Sequence, residues 1–200
     1  TVTLRAPRTA NDSDVAVAQF KSTVTGSRDT VIEAVKTYQG NNITISELAD
    51  STSNLNAGSA GKMAADALRF MWGRTGVLAR LQAPSGLRLT PGVEVRSAGD
   101  LTVSVNEQAV NVSERGWNLN TWRFDGEAGA LTLRAQGNLN IVGSISDGFV
   151  NKGTAMPLWT LDSSPKSWGL RLVGGADVSA AKPTQTVAGA GDVSVSYARP

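Results

Sequence analysis

Residues 131–141 read LTLRAQGNLNI. Leu131 and Leu133 alternate with Thr132, Arg134 follows, Gly137 and Asn138 form a turn signal, and Leu139 and Ile141 resume the alternation. The same order stands at 93–103, VEVRSAGDLTV, displaced by 38 residues. Looser copies run over 170–180 (LRLVGGADVSA) and 185–195 (QTVAGAGDVSV), and a stretched one opens the chain over 2–17 (VTLRAPRTANDSDVAV). Alternation of period two places Leu131 and Leu133, or Leu139 and Ile141, on one face of a strand, so that face must be buried. Glycine at the corner admits a positive φ or a bulge, and the Asp or Asn after it bonds to local backbone. Repeated bends of one shape favour stacking: each unit cannot enclose its apolar face alone, whereas a stack shares one core. The pattern predicts an all-β solenoid of short strands, with a β-sandwich of similar hairpins as the competing arrangement.

Composition narrows the chemistry. Two hundred residues with 40% hydrophobic content suffice for one core, so a single unit over 1–200 is expected. The nineteen basic and seventeen acidic residues give +2, and the arginines are spread from Arg5 through Arg96, Arg134 and Arg171 to Arg199. That spread argues against a nucleic-acid partner, which needs clustered charge. There is no Cys and no His, which removes disulfides, thiol nucleophiles, imidazole bases and the common zinc sites. No cofactor and no catalytic residue is expected. No apolar run has membrane-spanning length and no signal peptide is present, so the chain reads as a segment of something longer.

One stretch departs from the strand pattern. Residues 40–83 read as a partly helical excursion, with 62–81 (KMAADALRFMWGRTGVLARL) placing Met63, Ala67, Phe70, Met71, Val77, Leu78 and Leu81 on an apolar stripe broken at Gly73 and Gly76. It is expected to cap or flank the β core, with a partner surface as the alternative. The preceding segment at 30–38, TVIEAVKTY, fits helix or strand, and its β-branched residues favour strand.

Candidate sites are few. Trp117, Trp122 and Trp159 offer flat rings for stacking on sugars, and Phe124, Phe149 and Trp168 extend the set. Glu107, Glu114, Asp125 and Glu127 lie near them in sequence, as a paired-carboxylate glycosidase site would require. The recurring corner residues Asp100, Asn138, Asp177 and Asp192 are expected to bond their turns, since the denser spacing of calcium-binding coils is absent. Arg96 and Arg134 recur in register and would repel if stacked unpaired, so both are expected to be exposed.

Three strings, APSGLRLTPGVEVRSAGDLTV (83–103), WRFDGEAGALTLRAQGNLNIVGSISDGF (122–149) and SWGLRLVGGADVSAA (167–181), occur in an order that resembles the distal repeat region of filamentous haemagglutinin-like exoproteins, the large secreted partners of bacterial two-partner secretion. The openings TLRAPR (3–8) and VIEAVKTYQG (31–40) are similar to the upstream part of that region. The resemblance implies a right-handed parallel β-helix, export to the surface or medium of a Gram-negative bacterium, and a structural role in adhesion, biofilm or cell contact. It also implies a host or bacterial surface receptor or glycan as partner, and an outer-membrane transporter for the full-length protein. No counterpart of the family's Asn-Pro-Asn secretion signature is present. A carbohydrate-binding or polysaccharide-degrading β-helix is the alternative function.

Overall fold

The computed structural model describes residues 1–21, 24–45, 60–104, 116–147, 149–151, 159–161 and 166–196, with only the backbone course given at 149–151 and 159–161. Its frame is two parallel sheets. The first has five strands in the order β1 (Val2–Pro7), β2 (Thr30–Gly40), β4 (Leu87–Ser97), β7 (Ala130–Ala135) and β12 (Gly169–Val173). The second stacks β3 (Ile43–Ile45), β5 (Leu101–Val103), β8 (Leu139–Ile141) and β13 (Val193–Val195). β2, β4 and β7 each turn one tight corner into β3, β5 and β8.

The 38-residue repeat is a true register. Val93 pairs Leu131, Val95 pairs Leu133, Leu101 pairs Leu139 and Val103 pairs Ile141. These eight side chains are buried between the sheets, with Ile43 and Ile45 below them. A buried aliphatic side chain of this size contributes roughly 1.5–3 kcal/mol, so the aligned columns are a main source of stability. The corners are linked to one another. Asn42 Oδ1 accepts from the Asp100 amide at 3.0 Å, Asp100 Oδ1 from the Asn138 amide at 2.7 Å, and Asn138 Oδ1 from the Asp192 amide at 3.0 Å. The Asx side chains thus bond the next corner as well as shaping their own. Glycine precedes them because a Cβ at Gly99 or Gly137 would collide with the Asn42 or Asp100 side chain.

Several expectations are corrected. The chain is not an all-β solenoid, and among the described residues no closed right-handed β-helix forms: the parallel sheets curl into a half-barrel, and two helices, α1 (Ala60–Trp72) and α2 (Arg74–Arg80), belong to the fold. The reason is local. Where a third column of strands would stand, α1 buries Met63, Ala64 and Ala67 against the same cluster as Trp117, Leu119 and Trp122 of β6 (Trp117–Asn118) and the 3-10 turn Leu119–Trp122. Phe70, Met71, Val77 and Leu81 fill a second cluster with Ile32, Leu87 and Leu89. The apolar stripe read at 62–81 is therefore the face that packs on the sheets. The copies at 170–180 and 185–195 prove to be two halves of one layer, since β12 comes from the first and β13 from the second. The opening copy supplies only β1 and an isolated antiparallel bridge between Arg8 and Val15. Among the described residues two minor pairs also form: β6 with β9 (Ile145–Ser146), parallel, and β10 (Phe149–Asn151) with β11 (Trp159–Leu161), antiparallel. Among the described residues no helix is long and apolar enough to cross a membrane.

Candidate functional site: an arginine–glutamate lattice and the cleft beside it

The faces of β2, β4 and β7 turned away from the core carry charge. Period two puts Glu33, Gly92, Glu94, Arg96, Thr132, Arg134 and Arg171 on this side, and Glu33, Glu94, Thr132 and Arg134 are buried. Glu94 is the hub. Its Oε1 accepts from Arg96 Nε at 2.8 Å and Arg134 Nη1 at 2.9 Å, and its Oε2 accepts from Arg5. Arg5 also donates to Glu33 at 3.2 Å, and Arg171 reaches across Thr132 to meet both Glu33 oxygens at 3.0 and 2.9 Å. Four guanidinium groups share two carboxylates. Burial alone pushes the Glu94 carboxyl up, but hydrogen bonds from Arg96, Arg5 and Arg134 outweigh it and hold its pKa at about 2.

Arg134 corrects an expectation. It is fully buried, and it also donates to the carbonyls of Asp177 and Ala180, so the segment after β12 covers it. Arg96 keeps 32% of its side-chain surface exposed. The register pairing of Arg96 with Arg134 is tolerated because the Glu94 carboxylate lies between them and neutralises the repulsion.

The Glu33 side chain, which Arg171 crosses the sheet to meet, lies against the bare backbone of residue 92. A Cβ there would stand 2.9 Å from Glu33 Cγ and Val35 Cγ2. Gly92→Ala should lower stability by about 1–3 kcal/mol in urea unfolding through overpacking. Because the displaced Glu33 no longer holds Arg171, adding Arg171→Gln to that variant should cost far less than it does in the unaltered chain.

A cleft of about 600 Å³ opens where β1 stops short of the end of β2. Lys36 and Tyr38 reach from β2 to α1, donating to Asp66 Oδ2 at 2.8 and 2.9 Å, and Lys36 also donates to Asp12 at 2.8 Å. Burial pushes the Asp66 carboxyl up, but the Lys36 and Tyr38 bonds prevail and its pKa is lowered. Burial and the Asp66 charge push the Tyr38 hydroxyl upward. Behind the cleft Arg8 is buried, its guanidinium 4.2 Å from the centre of the Phe70 ring and donating to the Ala34 and Asp66 carbonyls.

The residues singled out from sequence fall elsewhere. Trp117 and Trp122 are wholly buried and stack with ring centres 6.1 Å apart, while Trp168 meets Trp122 edge-on at 5.8 Å. Neither Trp117 nor Trp122 presents a ring face to solvent, because both fill the side of the core opposite the sheets. The side chains of Trp159 and Phe149, like Glu107 and Glu114 entirely, lie outside the described residues. Asp125 stands in an exposed turn with φ 50° and pairs with Arg74 at 2.7 Å; Glu127 pairs with Arg88 and Lys166. These carboxylates are not brought together across a groove. Among the described residues no group of Asp and Glu could hold a metal ion. Sequence reading missed the Glu33 and Glu94 hubs, although stacking the repeat at its own offset puts Arg96 beside Arg134 with Glu94 two residues away on the same face. Comparison with family models, curated proteins and solved structures finds no match for this chain.

Proposed function

We propose that this chain is a non-catalytic structural segment of a secreted bacterial surface protein, a stiff spacer that takes part in adhesion or cell contact. The observation that supports it is the layered register: units 38 residues apart bond in line, tied by backbone, by Asx corners and by one lattice of buried ion pairs. Bonds that cross layers at every level resist bending and local opening. The resemblance to filamentous haemagglutinin-like exoproteins points the same way, with a surface receptor or glycan as partner and an outer-membrane transporter serving the full-length protein. Glu94, held ionised down to about pH 2 by three guanidinium groups, suits a structural hub better than a proton donor.

Beads coated with the purified protein should adhere to bacterial or epithelial cells more than albumin-coated beads do, with soluble protein competing. Adhesion no greater than that of albumin would sink the proposal. Cleavage of a polysaccharide, lost on Asp125→Asn or Glu127→Gln, would replace it with the degrading alternative.

A further inference from the structure

The cleft beside α1 has an unfinished strand edge as its floor. β1 runs parallel to β2 only as far as Pro7 opposite Val35, and the Arg8 amide makes the last bond, to the Val35 carbonyl at 2.8 Å. In a parallel strand alternate residues direct their backbone groups to opposite neighbours. Gly40 accepts from Ala98 and so faces β4, whereas Thr37 and Gln39, in phase with Val35, direct their N–H and C=O groups into the cleft. Both residues are exposed, and among the described residues nothing bonds these groups. Lys36 and Arg96 line the cleft with Asp66, and Lys36 is held by the carboxylates of both Asp66 and Asp12, which leaves Arg96 as the charge turned to the hollow. Arg96 is where the positive surplus of the lattice reaches solvent, since only its Nε is committed to Glu94. The hollow continues past Gly40 and Ala98 to Val178, adding about 330 Å³.

We infer that the free edge of β2 at Lys36–Gly40 is a docking site for an extended, acidic polypeptide segment, which adds as a strand in line with β1 and sets a carboxylate against Arg96. Backbone donors and acceptors at alternate residues select a polypeptide in extended form, and Arg96, half-exposed with only its Nε bonded, selects an acidic side chain. Five residues of strand span roughly 16 Å, the length that β1 leaves open. The inference deepens the function proposed above by naming the chemistry of the partner, and it rests on that reading.

The probe is a fluorescein-labelled hexapeptide of alternating valine and glutamate, titrated with the full chain by fluorescence anisotropy. The glutamate peptide should bind and its valine–lysine counterpart should not. N-methylation of alternate amides should weaken binding at least about tenfold in one of the two frames, because one set of amides faces β2. Thr37→Pro removes a donor that no ladder bond uses, so it should weaken binding to a similar degree with an unchanged melting temperature. Arg96→Gln should weaken binding severalfold and flatten its dependence on salt. Absence of binding, or equal binding by both N-methylated frames, would overturn the inference. So would dextran sulfate competing with undiminished affinity for the Thr37→Pro variant, or that variant turning a dimer into a monomer in sedimentation, which would assign the edge to a second copy. Should Thr37→Pro fail to fold, the N-methylated frames still decide. Bead adhesion persisting without peptide binding would sink the docking site alone, whereas absence of bead adhesion strikes the spacer reading.

Discussion

Glu94→Gln should lower the free energy of unfolding at pH 7 by about 3–5 kcal/mol, the usual cost of removing one partner from a buried ion pair. The substitution keeps shape and volume but leaves Arg134, which has no exposed surface, facing a neutral amide. Urea unfolding measures the loss, and a fall of less than about 1 kcal/mol would mean that water or another carbonyl compensates Arg134. Adding Arg134→Met to the variant should restore part of the stability, since the uncompensated charge goes with it. The same carboxylate sets a pH dependence. Its pKa of about 2 in the folded chain lies below the ordinary 4.5, so the unfolded chain binds the proton more readily. The stabilisation is complete above pH 4.5 and is lost as pH falls through 2. At about 1.4 kcal/mol per unit the drop is worth on the order of 2–3 kcal/mol, once solvent reaching Arg96 at the rim is allowed for. Glu94→Gln should therefore flatten the stability profile between these values. Asp14, Asp29 and Asp66, also lowered, keep their own slope in both proteins.

What the chain declares in advance is whatever follows from alternation and corners. Val93, Val95, Leu131 and Leu133 can only share a face, and the matching Gly99–Asp100 and Gly137–Asn138 corners align the layers, so the parallel register was legible from the repeat. The closure was not. Whether a third column is strand or helix depends on what fits beside two sheets, and at 62–81 the apolar spacing of a helix wins over continued alternation because it covers the core with Met63, Ala67 and Phe70. The second face was misjudged for a different reason. Alternation says that Arg134 points away from Leu133, but not whether water waits there. Long side chains crossing the sheet and the carbonyls of Asp177 and Ala180 take water's place. The unfinished edge of β2 was invisible for a third reason: it depends on where β1 stops, and Pro7 and Arg8 end that strand by a bridge to Val15 that no period announces.

Trp122→Ala should cost about 3–5 kcal/mol, as befits a large aromatic side chain deleted from a closed core. Trp122 has no exposed surface and holds together three pieces of chain: it stacks on Trp117, meets Trp168 edge-on, and shares its cluster with Met63 and Ala67 of α1. Its indole nitrogen meets no acceptor among the described residues, so it is volume and ring contact, not a hydrogen bond, that the residue supplies. Trp122→Phe should accordingly lose less than half as much, since a smaller ring keeps the stack and no polar group is orphaned. Near-ultraviolet circular dichroism should report the loss of the coupled indole signal in the Ala variant, with α1 loosened as its support is removed. The opposite outcome is equally readable: stability unchanged in Trp122→Ala while binding to a glycan array disappears would mean that the ring works at a surface, and would return the sugar platform at Trp117 and Trp122 to contention against the spacer proposed above.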